Sequence, residues 1–289
     1  MTTVDYKKKR LSPSSINTLF QCPRKWWYNY VEKLQRYASI HLIKGSAVHK
    51  VLEDIFNIKF FKEGQEFEDM FYSKAESILI QNWSVSKLKM EQAEKAKHFE
   101  DAKLIIRTVC DKLLGQMKML VVAGKATSYS HALHLIKPKF KEQYYKDTEL
   151  NVAGYIDSIQ QDFDGNVVLV DYKTSNKYKN TMSEDYRRQL AIYAHLYLHV
   201  ENKIPTWTCI NYLRFGESFY IEVTPDVLKY AKSEICRART FLEESNTKVD
   251  FFRRSSKLCS YCDFFTTCTS DAKCEDKQRD IKLEIGDGK

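Results

Sequence analysis

Asp157, and Asp171-Tyr172-Lys173 a short way on, are the residues of this chain best placed to do chemistry. Side chains two apart in a strand point the same way, so Asp171 and Lys173 would share a face and Tyr172 would take the other. Asp164-Gly165 is a hairpin signal between them. If the loop is Phe163-Asp164-Gly165, Asp162 pairs with Asn166 and Asp157 falls across from Asp171, with β-carbons roughly 5 Å apart. Facing carboxylates repel unless a cation lies between them. Mg²⁺ or Mn²⁺ suits such oxygens, and either ion acidifies water and offsets charge on phosphate oxygens. Lys173 would orient that water or neutralise developing charge. Asp-x-Lys alone also decorates many exposed hairpins; the facing Asp157, behind Gly154-Tyr155-Ile156, separates this case from them.

A second set of candidates is sulfur. Cys259, Cys262 and Cys268 are close enough in sequence to ligate one metal centre, and a fourth cysteine would complete it. That fourth could be the distant Cys22, in Gln21-Cys22-Pro23, or the local Cys274. Either an iron–sulfur cluster or a zinc ion takes four thiolates. Cys110, Cys209 and Cys236 read as buried free thiols. The chain opens on no secretory signal pattern, so its eight cysteines are better read as metal ligands and thiols than as disulfides. A cytoplasmic protein is expected, with no apolar run long enough for a bilayer.

The net charge of +8 favours a polyanionic partner. Eighteen Tyr, sixteen Phe and four Trp offer stacking groups, most of which must simply pack. Arg24-Lys25-Trp26-Trp27-Tyr28 combines cations with aromatic faces, as single-strand binding surfaces do. Arg24 and Lys25 are its contact candidates, while the tryptophans are expected to pack around the cysteine centre. Arg187, Arg188, Lys177 and Lys179 are further candidates for phosphate.

The elements that must position these residues fall into two styles. Ser12-Pro13-Ser14 predicts a capped helix through Phe20. Arg24–Leu34 reads as helical, and Gly45-Ser46 as the opening of a helix through His49, Leu52, Glu53 and Phe56. From Glu66 to His134 the pattern is almost all helical. Strands are expected over Phe140–Lys146, Leu150–Asp162 and Val167–Thr174, then a helix over Glu184–Val200. Two more strands, Thr206–Phe215 and Ser218–Val223, precede a helix from Pro225 to Glu244. The organisation expected is N-terminal helices over 1–35, a helical region over 36–137, a sheet-bearing core over 138–245, and a cysteine loop with a charged, mobile tail over 246–289.

Gly154-Tyr155-Ile156-Asp157, Asp171-Tyr172-Lys173-Thr174 and Gln189-Leu190-Ala191-Ile192-Tyr193, in that order, resemble the PD-(D/E)XK nucleases of the RecB-like class. His49, in Gly45-Ser46-Ala47-Val48-His49, matches that class's upstream helical histidine. The terminal cysteines are similar in layout to its iron–sulfur members, the AddB-like repair nucleases and CRISPR-associated RecB-like exonucleases. The resemblance runs from Ser12 to Cys268.

The resemblance implies an α/β, restriction-endonuclease-like mixed sheet flanked by helices, with a large N-terminal helical region and an iron–sulfur clasp joining the termini. It implies that His49, Asp157, Asp171 and the Tyr172 carbonyl hold Mg²⁺ or Mn²⁺ and that Lys173 is the catalytic lysine. Gln189 and Tyr193, one helical turn apart, would position Lys173 and touch the nucleic-acid backbone. Glu53 could orient the His49 imidazole, and Glu142 is a further candidate near the site. Cys22 is then favoured over Cys274 as fourth ligand of a 4Fe–4S cluster. The function implied is a metal-dependent deoxyribonuclease, an exonuclease on single-stranded DNA or DNA ends. It would serve recombination, repair, replication or CRISPR adaptation, with a helicase, recombination or CRISPR adaptation partner, and a virus could encode it. The alternative is a catalytically inactive nucleic-acid-binding subunit.

Overall fold

The computed structural model describes residues 5–36, 39–59, 63–162, 164–175 and 182–272. Lys177, Lys179, Cys274 and the charged tail lie outside them, as does Phe163 of the hairpin loop.

Residues 1–37 with 235–289 form one compact unit and residues 38–234 another. In the first, Ser12 closes a capping box with Ser15 ahead of Pro13, and α1 (Pro13–Gln21) follows. Cys22 sits at the joint before α2 (Pro23–Tyr30). Trp26 is buried and stacks on Phe251 at 5.6 Å, with Tyr6, Trp27 and Phe241 packed edge-on or tilted around the same ring. The tryptophans thus join an aromatic cluster centred on Phe251.

In the second unit, α3 (Ile40–Asp54) is capped by Ser39, whose side chain accepts from Leu42 N. Gly45-Ser46 lies inside this helix instead of opening it; the serine earlier in sequence takes the cap. Helices α4 (Gly64–Gln81), α5 (Gln92–Val122) and α6 (Tyr129–Ile136) complete the helical region. The sheet follows with β1 (Phe140–Asp147), β2 (Val152–Gln161) and β3 (Val167–Lys173). Then come α7 (Glu184–Glu201), β4 (Trp207–Tyr212), β5 (Glu217–Glu222) and α8 (Pro225–Glu244).

The strand order is β1-β2-β3-β4-β5, all neighbours antiparallel except β3 and β4, which run parallel. Parallel neighbours need a crossover, and α7 supplies it. This is the expected α/β architecture, a mixed sheet flanked by helices. Val170, Tyr172, Cys209 and Leu213 join a core with apolar residues of α3–α6, such as Val48, Val51, Phe71 and Ile105. On the other face Tyr145 meets Tyr197 of α7, ring centroids 5.8 Å apart. Cys110 and Cys209 are buried, but Cys236 is exposed, contrary to expectation, because it falls on the outer side of α8. No helix among the described residues is long and apolar enough to cross a membrane.

Candidate active site

The β2–β3 ladder runs from Gln161↔Val167 to Ser158↔Val170. One step further along that register, Asp157 stands across from Asp171. There the ladder gives way: the Asp157 side chain takes the place of a strand partner, its Oδ2 accepting from Tyr172 N at 2.8 Å. On the other side of Asp157, Glu142 lies between the pairs Lys141↔Ser158 and Gln143↔Ile156. Its φ is +49°, a left-handed conformation that non-glycine residues seldom take. Glu142 and Asp157 therefore meet where the strands part, with Asp171 across the register from Asp157.

His49 approaches from α3. Its Nε2 is 3.1 Å from Tyr172 O, and a carbonyl can only accept, so Nε2 carries the proton. That leaves the Nδ1 lone pair facing Asp157 Oδ2 at 3.7 Å and Glu142 Oε1 at 4.0 Å. Ligand atoms of His49, Glu142 and Asp157 all lie within 4.8 Å of one another. Glu53 accepts from Lys50 at 2.7 Å, a neighbour on its own helix.

Asp171 is buried and belongs to a second, tightly bonded group. Its Oδ2 lies 2.6 Å from Lys173 Nζ. The Gln189 amide spans the pair, donating to Asp171 Oδ1 at 2.8 Å and accepting from Lys173 Nζ at 3.2 Å. The same amide nitrogen donates to Tyr193 OH at 2.9 Å. Ser183 caps α7 just ahead of these residues and holds their register. The Tyr186 ring lies beneath Lys173 Nζ, 5.1 Å to its centre. Tyr186 was not read from the sequence, although it precedes Gln189 by one helical turn.

Burial and neighbouring carboxylates shape the electrostatics of the site. Burial, reinforced by the Asp171 charge, pushes the Asp157 carboxyl up to about 8. Burial, then Glu53 and Asp171, also raise Glu142. Burial lowers His49, favouring the neutral imidazole that a metal requires. Burial would lower Lys173 too, but Asp171 outweighs it and keeps the ammonium charged. The donor set of imidazole, carboxylates and a carbonyl suits Mg²⁺ or Mn²⁺.

The sequence matches the model of the PD-(D/E)XK nuclease superfamily over residues 10–269. The chain belongs to that superfamily. No curated protein matches it. Solved structures similar to this PD-(D/E)XK protein include a "putative exonuclease" from Eubacterium rectale, at TM-score 0.43 and 14% identity, covering 83% of this chain and 84% of that one. Another is SSO0001, at TM-score 0.32 and 14% identity, covering 79% and 97%. Both are too distant to transfer a function.

Two expected contact residues of the PD-(D/E)XK protein turn inward. Arg24 is 1% exposed, donates to Phe251 O at 2.8 Å and pairs with Asp271. Arg188 is 4% exposed and binds Glu234 Oε2 at 2.6 Å and Asp185 at 3.0 Å. Both guanidiniums are engaged within the fold, Arg24 by the Phe251 carbonyl and the half-buried Asp271, Arg188 by the buried Glu234. Lys25 is half-buried, and Arg187 is exposed with its guanidinium against the Tyr230 ring. Cys22, Cys259, Cys262 and Cys268 are all half-buried in the terminal unit. Burial raises the Cys268 thiol, and Cys22 is a close enough neighbour to add to the rise. No cysteines among the described residues form a group as tight as that of His49.

Proposed function

We propose that this protein is a divalent-ion-dependent deoxyribonuclease, an exonuclease acting on single-stranded DNA or DNA ends. The observation that carries the reading is the Gln189 amide, which locks Lys173 against Asp171 beside the His49–Glu142–Asp157 group. A noncatalytic binding subunit would have no need for a half-buried ammonium held so closely.

His49, Asp157, Asp171 and the Tyr172 carbonyl are the proposed holders of Mg²⁺ or Mn²⁺, with Glu142 added by its geometry. When bound, the ion supplies charge to offset the phosphate oxygens and lowers the pKa of water. Lys173 remains an ammonium and stabilises charge developing at the phosphate. Gln189 keeps that ammonium aimed, and Tyr193 fixes the Gln189 amide.

Cys22, Cys259, Cys262 and Cys268 are proposed as ligands of a 4Fe–4S cluster that pins the two ends of the terminal unit. The resemblance in cysteine layout supports this. A four-iron cube is several ångströms across, so its thiolates need not crowd as they would around one zinc ion. The resemblance supports a role in recombination, repair, replication or CRISPR adaptation, alongside a helicase or another partner from those processes.

The test is a single-stranded oligonucleotide labelled in turn at each end, with Mg²⁺ or Mn²⁺. Stepwise loss from one end is expected, and Asp171→Ala should bind without cutting. Binding without metal-dependent cleavage by the wild type would favour the noncatalytic reading.

A further inference from the structure

Tyr144 and Tyr155 are cross-strand partners on β1 and β2, with ring centroids 4.9 Å apart and planes at 49°. They are 40% and 57% exposed. Single exposed aromatics are ordinary, but these two are paired and placed. Tyr145, next in the chain, faces α7, where its ring meets Tyr197 and its hydroxyl donates to Glu201 at 2.9 Å. Alternation puts Tyr144 on the opposite face, which α7 does not cover. Two pairs further out, Lys146 is exposed opposite Ala153. In the other direction Glu142 and Asp157 stand two residues away, about 7 Å along the strands.

The order along this hairpin is therefore cation, two aromatic rings, carboxylates. A strand whose phosphate lies at the carboxylates and that follows this hairpin outward passes its neighbouring nucleotide near these rings. In a duplex the base faces are already stacked; in a single strand they are open. We infer that Tyr144 and Tyr155 form a base-stacking platform that selects single-stranded nucleic acid at the mouth of the site, with Lys146 meeting its phosphates. This rests on the nuclease reading and names that site's substrate class.

The test is fluorescence anisotropy in a Lys173→Gln background, with Mn²⁺ present and the strand left uncut. The probes are a short single strand with normal bases and the same backbone carrying abasic sites. Tyr144→Ala and Tyr155→Ala should each weaken binding of the base-bearing strand about tenfold. Both should leave the weaker abasic binding unchanged, and Tyr155→Phe should retain parental affinity. Unchanged melting temperatures would show that these exposed substitutions leave the fold intact. Equal affinity of parent and alanine variants for the base-bearing strand overturns the platform while leaving the nuclease reading in place. A parent that binds neither strand overturns both.

Discussion

Lys173 would be an unremarkable surface cation without the Gln189 amide, whose two ends match an acid and an ammonium at once. Gln189→Ala should lower kcat by roughly ten- to a hundredfold with little change in KM, because the ammonium stays but loses its aim. Lys173→Ala should cost about a hundredfold or more. Steady-state kinetics on a labelled strand separates the two, and a Gln189→Ala enzyme at full kcat would refute the positioning role. Glu142 is the residue whose contribution pulls in two directions. Its left-handed backbone costs on the order of 1 kcal/mol, while its carboxylate faces His49 and Asp157. Glu142→Gly should therefore raise the melting temperature of the metal-free protein and weaken Mn²⁺ binding. A variant that melts lower and binds Mn²⁺ as tightly would contradict both halves.

At the scale of elements, α3 must be held in place to deliver His49. Lys44 on α3 is buried and bonds Asp101 of α5 at 2.6 Å, and Arg214, just past β4, reaches the same oxygen at 2.6 Å. Burial would raise the Asp101 carboxyl, but Arg214 and Lys44 outweigh it and hold it at about 2, below its usual 3.8. A depressed carboxyl stabilises the fold above its unfolded pKa, and the gain is lost as pH falls through the folded value. Urea unfolding should show about 2 kcal/mol disappearing between roughly pH 4 and pH 2. Asp101→Asn should flatten that acid limb and lower stability at neutral pH by about 3 kcal/mol, since Lys44 is left buried without its counter-charge. An unchanged acid limb in Asp101→Asn would exclude the triad as its source. Such a tie could not be read from the sequence, because its members are distant in the chain and each looks like an ordinary surface charge. The start of α3 is hidden for a related reason: Gly45-Ser46 has the composition of a helix opening, but Ser39 supplies the cap. The β2–β3 register, by contrast, was legible, because Asp164-Gly165 fixes the turn and a two-residue period leaves no freedom once the turn is set.

For the whole molecule, the residues gathered at the candidate site lie in four short motifs that the sequence displays, with Glu142 outside them, while the site's surroundings are not legible there. Arg188 looked like a phosphate contact because it precedes Gln189, yet it follows Glu184 and Asp185 at helical spacing and pairs with Asp185. Glu142's role depends on where two strands part, which local sequence does not encode. The terminal unit carries its own prediction. Protein purified without oxygen should be brown with iron and labile sulfide, and Cys22→Ser should lose both together with much of its thermal stability. A colourless preparation carrying zinc would contradict the cluster. The central claim is narrower: an ion held where β2 and β3 separate. Calorimetric titration of Mn²⁺ into wild type and Asp157→Asn tests it most directly. Saturable binding to the wild type that is lost in the variant is the result expected. Undiminished binding to Asp157→Asn would place the ion elsewhere and contradict the account.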